Sequence, residues 1–192
     1  MEFVWDPEKD RANQKKHDVC FEDAVRVFRL DDLALELLDE FHSDQEDRFI
    51  TIGPIQGGLM LVVWTERVED VSGSFLPAGR PRGSNASTAS TWSNDVDDDM
   101  RELTEDDFKR TLKQGQRKRL MAGDIRSGQD IADLRRFIGL TQKQFAAALG
   151  ISIRTLQGWE QGRRRPEGPS LALLRIAARH PRFIKENLAS AA

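Results

Sequence analysis

The residues best placed to do chemistry lie between Gly139 and Pro166, and the chemistry they suit is reading base edges rather than breaking bonds. Thr141 stands at the N-cap of a short stretch in which Phe145, Ala146 and Leu149 face inward, and Ser152 does the same for a second stretch carrying Leu156 and Trp159. Gly150 falls where the chain must turn between the two, and Gly162 stops the second. Two short helices joined by such a turn form a helix-turn-helix, expected over 141–161, whose second helix enters the major groove. With Leu156 and Trp159 committed to the core, Ile153, Arg154, Gln157 and Gly158 are left on the groove side. A guanidinium at Arg154 suits guanine O6 and N7, the Gln157 amide suits adenine, and Ile153 suits a thymine methyl. No comparable constellation for catalysis or metal binding exists: a single Cys20 and three His give no zinc-ligand spacing and no internal disulfide. No metal and no cofactor are expected.

The stretch Gly139-Leu140-Thr141-Gln142 through Phe145-Ala146, Leu149-Gly150, Arg154-Thr155-Leu156-Gln157-Gly158-Trp159-Glu160-Gln161-Gly162-Arg163-Arg164-Arg165-Pro166 resembles the Cro/lambda-repressor, or XRE, type of regulator. The resemblance covers about residues 125–190, and its ending is of the kind found in HigA-like antitoxins and autorepressors. It implies double-stranded DNA as partner, a homodimer on DNA and a cognate toxin. It also implies phosphate contacts from Gln142, Thr155, Arg163 and Arg165. Gly158 departs from the pattern, since relatives carry a larger polar residue there; it weakens the helix and removes one base contact.

The elements that must position these residues follow from charge and periodicity. The net charge of −3 conceals a split: residues 1–70 hold 8 basic against 18 acidic residues, whereas residues 108–192 hold 18 against 6. An anionic partner is therefore implied for the C-terminal half only. Thr104 followed by Asp107 opens a basic helix expected to run to about Gly115, and Ser127 followed by Asp130 repeats the device ahead of Ile131, Leu134 and Ile138. Pro169 and Pro181 can each open a further helix. Residues 100–192 thus read as a helical DNA-binding domain able to fold alone. Residues 71–93, with six Ser, three Gly and two Pro, and the acidic run Asp95 to Asp99, read as a disordered linker over 71–99.

Residues 1–70 read as an α+β unit: a short strand at Phe3–Trp5, Asp6 and Pro7 opening a charged helix over 8–17, and a second helix over 21–29 with Phe21, Ala24, Val25 and Phe28 on one face. Three strands are expected at Leu33–Asp39, Asp47–Gly53 and Leu59–Arg67, with residues 54–58 as a hairpin loop. The longest apolar run, Leu59–Trp64, is too short to span a bilayer and the start is acidic, so a cytoplasmic protein without a membrane partner is expected.

Phe3-Val4-Trp5-Asp6-Pro7 through His17-Asp18-Val19, with Glu46–Gly53 and Leu61–Arg67, resembles the BrnT-type toxins, small RelE-like ribonucleases. That family continues with a strand and an arginine-rich helix that serve RNA binding; here Gly73–Thr88 stand instead. One choice of codons for such a tail yields Leu76–Thr88 when read from its second base, so the segment reads as a frameshifted tail. With those arginines gone, no Tyr in the chain and a charge of −10 on residues 1–70, His17 and Lys9, Lys15 and Lys16 read as surface groups, and no catalytic residue and no enzyme are expected. The expectation is a DNA-binding regulator of antitoxin type carrying a degenerate toxin domain. The alternative is a toxin–antitoxin fusion whose N-terminal unit keeps ribonuclease or partner-binding activity.

Overall fold

The computed structural model describes residues 2–3, 5, 7–43, 46–55, 58–66, 86–87 and 102–189. The Asp6 cap and, apart from Ala86–Ser87, the whole expected linker with its shifted-frame tail and acidic run lie outside the described residues.

The N-terminal half contains β1 (Glu2–Phe3), α1 (Pro7–His17), α2 (Phe21–Val27), β2 (Leu35–Leu38), β3 (Arg48–Ile55) and β4 (Gly58–Thr65). A short parallel pairing joins β1 to β5 (Ala86–Ser87). The C-terminal half runs α3 (Glu105–Lys109), β6 (Leu112–Lys113), α4 (Gln114–Ala122), α5 (Gly128–Ile138), α6 (Gln142–Ala148), α7 (Ile153–Glu160), α8 (Pro169–Arg179) and α9 (Pro181–Ala189). An α+β half followed by a helical half is what the sequence leads one to expect. Both expected capping boxes are present: Thr104 with Asp107 on α3, and Ser127 with Asp130 on α5.

Two expectations need correction. The hairpin is longer than its sequence suggested, because pairing continues through Pro54↔Leu59 to Ile55↔Gly58. Pro54 is tolerated since β2 ends its pairing at Ile52, so no neighbour asks for the missing N–H. The helix expected to run from Thr104 to Gly115 breaks after Lys109, and Leu112–Lys113 leave it to pair with Leu35–Glu36. The sheet order is therefore β4-β3-β2-β6, antiparallel throughout, with its last strand supplied by the C-terminal half.

Strand alternation sorts the sheet into two faces. Met60, Val62 and Trp64 on β4, Phe49, Thr51 and Gly53 on β3, Glu36 and Leu38 on β2, and Leu112 on β6 share one face, and nearly all are buried. Val27 and Phe28 cover one part of it. Gly53 permits this, since a Cβ there would lie 2.5 Å from Val27 Cγ1. Phe137 of α5 covers another part, its ring stacked 6.3 Å from that of Phe49. One apolar cluster therefore passes from the sheet into the helical half, through Leu112, Leu120, Leu134 and Phe137 to Phe145, Leu156 and Trp159. Each such fully buried side chain contributes about 1.5–3 kcal/mol.

Glu36 is the anomaly on that face: a carboxylate at 3% exposure among aromatic and aliphatic side chains. Its counter-charge is Arg117 of α4, itself 1% exposed, whose Nη1 lies 3.1 Å from the Glu36 carboxylate. The other guanidinium nitrogens reach Glu66 and the carbonyls of Ala178 and Arg179, the latter two at the C-terminal end of α8 where carbonyls lack helical partners. The guanidinium carbon lies 3.9 Å from the centre of the Phe49 ring. Burial pushes the Glu36 carboxyl above the ordinary carboxylate range, with Arg117 opposing it.

Candidate nucleic-acid interface

The interface is built outward from α6 and α7. Thr141 and Gln144 form a reciprocal capping box at the start of α6. Gly150 adopts φ +66° between the helices, and a side chain there would be strained even though no atom crowds the position. The Ser152 hydroxyl accepts the Thr155 N–H at 3.0 Å to begin α7. Leu156 and Trp159 then face the core at 0% and 5% exposure.

At a hundred degrees per residue, burying Leu156 and Trp159 leaves one outward arc, and Ile153, Arg154, Gln157, Gly158 and Gln161 fall on it. Arg154 is exposed, Ile153 is 44% exposed, and Gln157 and Gly158 are half-buried. Arg154, Thr155, Gln157, Gly158 and Arg163 line one open cleft together with Ser152, Gln161 and Arg164, and among the described residues no carboxylate lines it. Those last three residues were missed in the sequence, although the helical arc that places Arg154 also places Gln161. Ile153 is outside the cleft, and Arg165 lines a neighbouring cleft with Arg126, Trp159 and Pro166. At Gly158 a Cβ would meet only Arg164 side-chain carbons at 3.8 and 3.9 Å, so the fold leaves room for a larger residue.

Gln142 is turned inward rather than out. Its Nε2 donates to Glu160 at 2.6 Å and its Oε1 accepts from Gln157 at 3.4 Å. Glu160, 7% exposed at its side chain, also pairs with Arg135 of α5 at 2.7 Å. Arg135 in turn donates to the Leu140 carbonyl at 2.9 Å. The chain Arg135, Glu160, Gln142, Gln157 thus fixes α7 against α5 and α6 and holds the Gln157 amide in place. Thr155 shares its hydroxyl with Ser152 at 2.8 Å. Gly128 completes the seat, since a Cβ there would stand 2.2 Å from the Glu160 carbonyl oxygen. Neither Glu160 nor Gly128 stood out in the sequence, because their partners are distant along the chain.

Asp130 anchors the first turn of α5. Burial alone would raise its carboxyl, but the N–H groups of Arg126 and Ser127, the Gln116 amide and Arg119 hold it below the ordinary aspartate value. Among the described residues no helix is long and apolar enough to cross a membrane, and no group of three His, Cys, Asp or Glu could hold a metal ion.

Comparison with known proteins divides the chain at the same place. Residues 5–72 match the family described as the ribonuclease toxin BrnT of a type II toxin–antitoxin system. Residues 90–187, just over half of the chain, match the family described as the antitoxin component of a bacterial toxin–antitoxin system, MqsA. Antitoxin HigA-2 of Vibrio cholerae serotype O1 is 40% identical over 55 residues, which are 29% of this chain and 53% of that protein. The chain therefore spans about half the length of the curated relative it matches.

Proposed function

The chain belongs to the MqsA family of antitoxin components, and on that premise we propose that it is a sequence-specific DNA-binding transcriptional regulator of antitoxin type, with a toxin-like N-terminal half that is not a working enzyme. The observation that carries this reading is the outer arc of α7. Arg154, Gln157 and Gly158 face outward beside Arg163 and Arg164, with no carboxylate among them, on a helix held by Glu160 and Gln142.

The division of labour follows from position. Ile153, Arg154 and Gln157 meet base edges, with Gly158 beside them on the same face, and Arg154 donates both bonds of its fork to one guanine. Arg163 and Arg165, beyond the end of α7, neutralise phosphates, as does Thr155 at the first turn. Gln142, whose amide is engaged with Glu160 and Gln157, supports the base-reading face by holding the Gln157 amide in register. Two copies bind as a homodimer, and a cognate toxin is the further partner. A protein that reads DNA in a bacterium works in the cytoplasm.

The N-terminal half supports the non-enzymatic reading through its charge. It carries −10 over residues 1–70, and Glu36 and Glu66 are both spoken for by Arg117. A polyanionic substrate is repelled rather than gathered.

Selection from a random duplex pool with the full chain tests the proposal. It should enrich one motif, arranged as two half-sites about one helical turn, 34–36 Å, apart. A retained pool with no motif would contradict sequence reading, and a motif without repeated half-sites would contradict the dimer.

A further inference from the structure

The helical half supplies what the toxin-like sheet needs at its β2 edge. β6 pairs there with Leu35 and Glu36, and the chain continues the edge with two further bonds. Gln114 N–H donates to the Ala34 carbonyl at 2.9 Å, and Gly115 N–H donates to the Asp31 carbonyl at 2.7 Å. The approach is close enough that a Cβ on Gly115 would lie 3.1 Å from Asp31 Cβ and 3.2 Å from its oxygen. One turn further, Arg117 meets two carboxylates, Glu36 and Glu66, and two rings, Phe49 and Trp64, of the toxin-like half, while Phe137 and the Ala178 and Arg179 carbonyls of its own half complete the surround. Lys118 closes the rim with an ion pair to Asp31 and a hydrogen bond to the Phe28 carbonyl.

Neither side of this contact is complete alone. Without β6 the inner edge of the sheet would present open N–H and C=O groups, and without Arg117 a carboxylate would stand against aromatic rings with no counter-charge. Such an edge followed by an acidic, aromatic-floored socket fits an extended segment that runs into an arginine-bearing helix.

The geometry points to residues 112–118 as an antitoxin segment acting in cis, a strand and arginine plug by which the helical half binds and closes the toxin-like half of the same chain. This inference rests on the family membership of the helical half and on nothing about which bases α7 reads. The contact holds by its own surface rather than by the covalent connection.

Cutting that connection tests it. A specific protease site replacing Leu76–Arg82, which lies between the two family matches, leaves the rest of the chain unchanged. After cleavage the two pieces should co-elute in one size-exclusion peak, and with Arg117→Ala they should separate into two while keeping their helical circular dichroism. Separation of the cut wild-type pieces would overturn the inference, as would co-elution of the Arg117→Ala pieces at wild-type strength. If Arg117→Ala loses its helical signal, Lys118→Glu decides in its place: Lys118 is 39% exposed, so reversing it opposes Asp31 without opening the core. Its pieces should part at a protein concentration at least tenfold above that of the wild type, and unchanged co-elution would overturn the inference. DNA binding by the same cut sample keeps the two readings apart. Co-elution without DNA binding supports the plug and contradicts the regulator, while separation with DNA binding intact does the reverse.

Discussion

The joint between the halves and the outer face of α7 both depend on arginine, in opposite settings. Arg117 is buried, shared between two carboxylates and two carbonyls, and laid over an aromatic ring. Arg154 and Arg163 are exposed on a cleft that, among the described residues, no carboxylate lines. The first setting has already spent its charge on the protein, whereas the second leaves it for a partner. The excess of basic residues in the C-terminal half therefore overstates the charge open to an anionic partner. Arg135 belongs with Arg117, since Glu160 has claimed it.

Removing each arginine should separate the two settings by kind as well as by size. Arg117→Ala leaves Glu36 buried without a counter-charge and should cost about 3–5 kcal/mol of stability, read by urea unfolding of the full chain. A loss under about 1 kcal/mol would place Arg117 among ordinary surface cations. Arg154→Ala should leave stability nearly unchanged and cost about 1–3 kcal/mol of binding to the selected site, with relaxed preference at one base position. Arg163→Ala should weaken selected and random duplexes alike and lower the salt slope by about one, because one fewer phosphate is neutralised. If Arg163→Ala changed sequence preference while Arg154→Ala did not, the docking of α7 would be reversed.

The smallest effect concerns a cation intermediate between the two settings. Lys185 of α9 lies 2.6 Å from Glu40, which also binds Arg110, and burial followed by the charge of Arg110 lowers it to about 8. Between about 8 and its ordinary 10.5 the unfolded chain holds a proton at this position that the folded chain has released. Stability from Lys185 therefore rises with pH through that window. The wild type should gain on Lys185→Met as pH climbs from 7.5 to 10 in parallel urea titrations, and a falling difference would mean that the Glu40 pairing dominates.

What the sequence disclosed was what short-range chemistry decides. Thr141, Ser152 and Gly150 specify α6, the turn and α7 within a few residues, and Leu156 with Trp159 then fixes which arc of α7 faces out. The joint was illegible for the opposite reason. In Leu35-Glu36-Leu37 the alternation reads as a polar position turned to solvent, yet Glu36 points at the shared core because Arg117, far along the chain, meets it there. Leu112 likewise looks like the last apolar residue of a helix until β2 is seen to offer it an edge. The resemblance implies a phosphate contact for Gln142, whereas its amide is occupied by Glu160, a partner visible only in three dimensions.

The central claim is that the outer face of α7 reads sequence, and a paired binding isotherm tests it most directly. The full chain is titrated at one fixed, near-physiological salt concentration against the selected duplex and against the same duplex with both half-sites scrambled. The account predicts a dissociation constant at least about a thousandfold lower for the selected site, the lower bound of sequence-specific recognition. Equal affinity for the two duplexes would contradict it, and would leave Arg154, Gln157 and their neighbours as a merely basic surface.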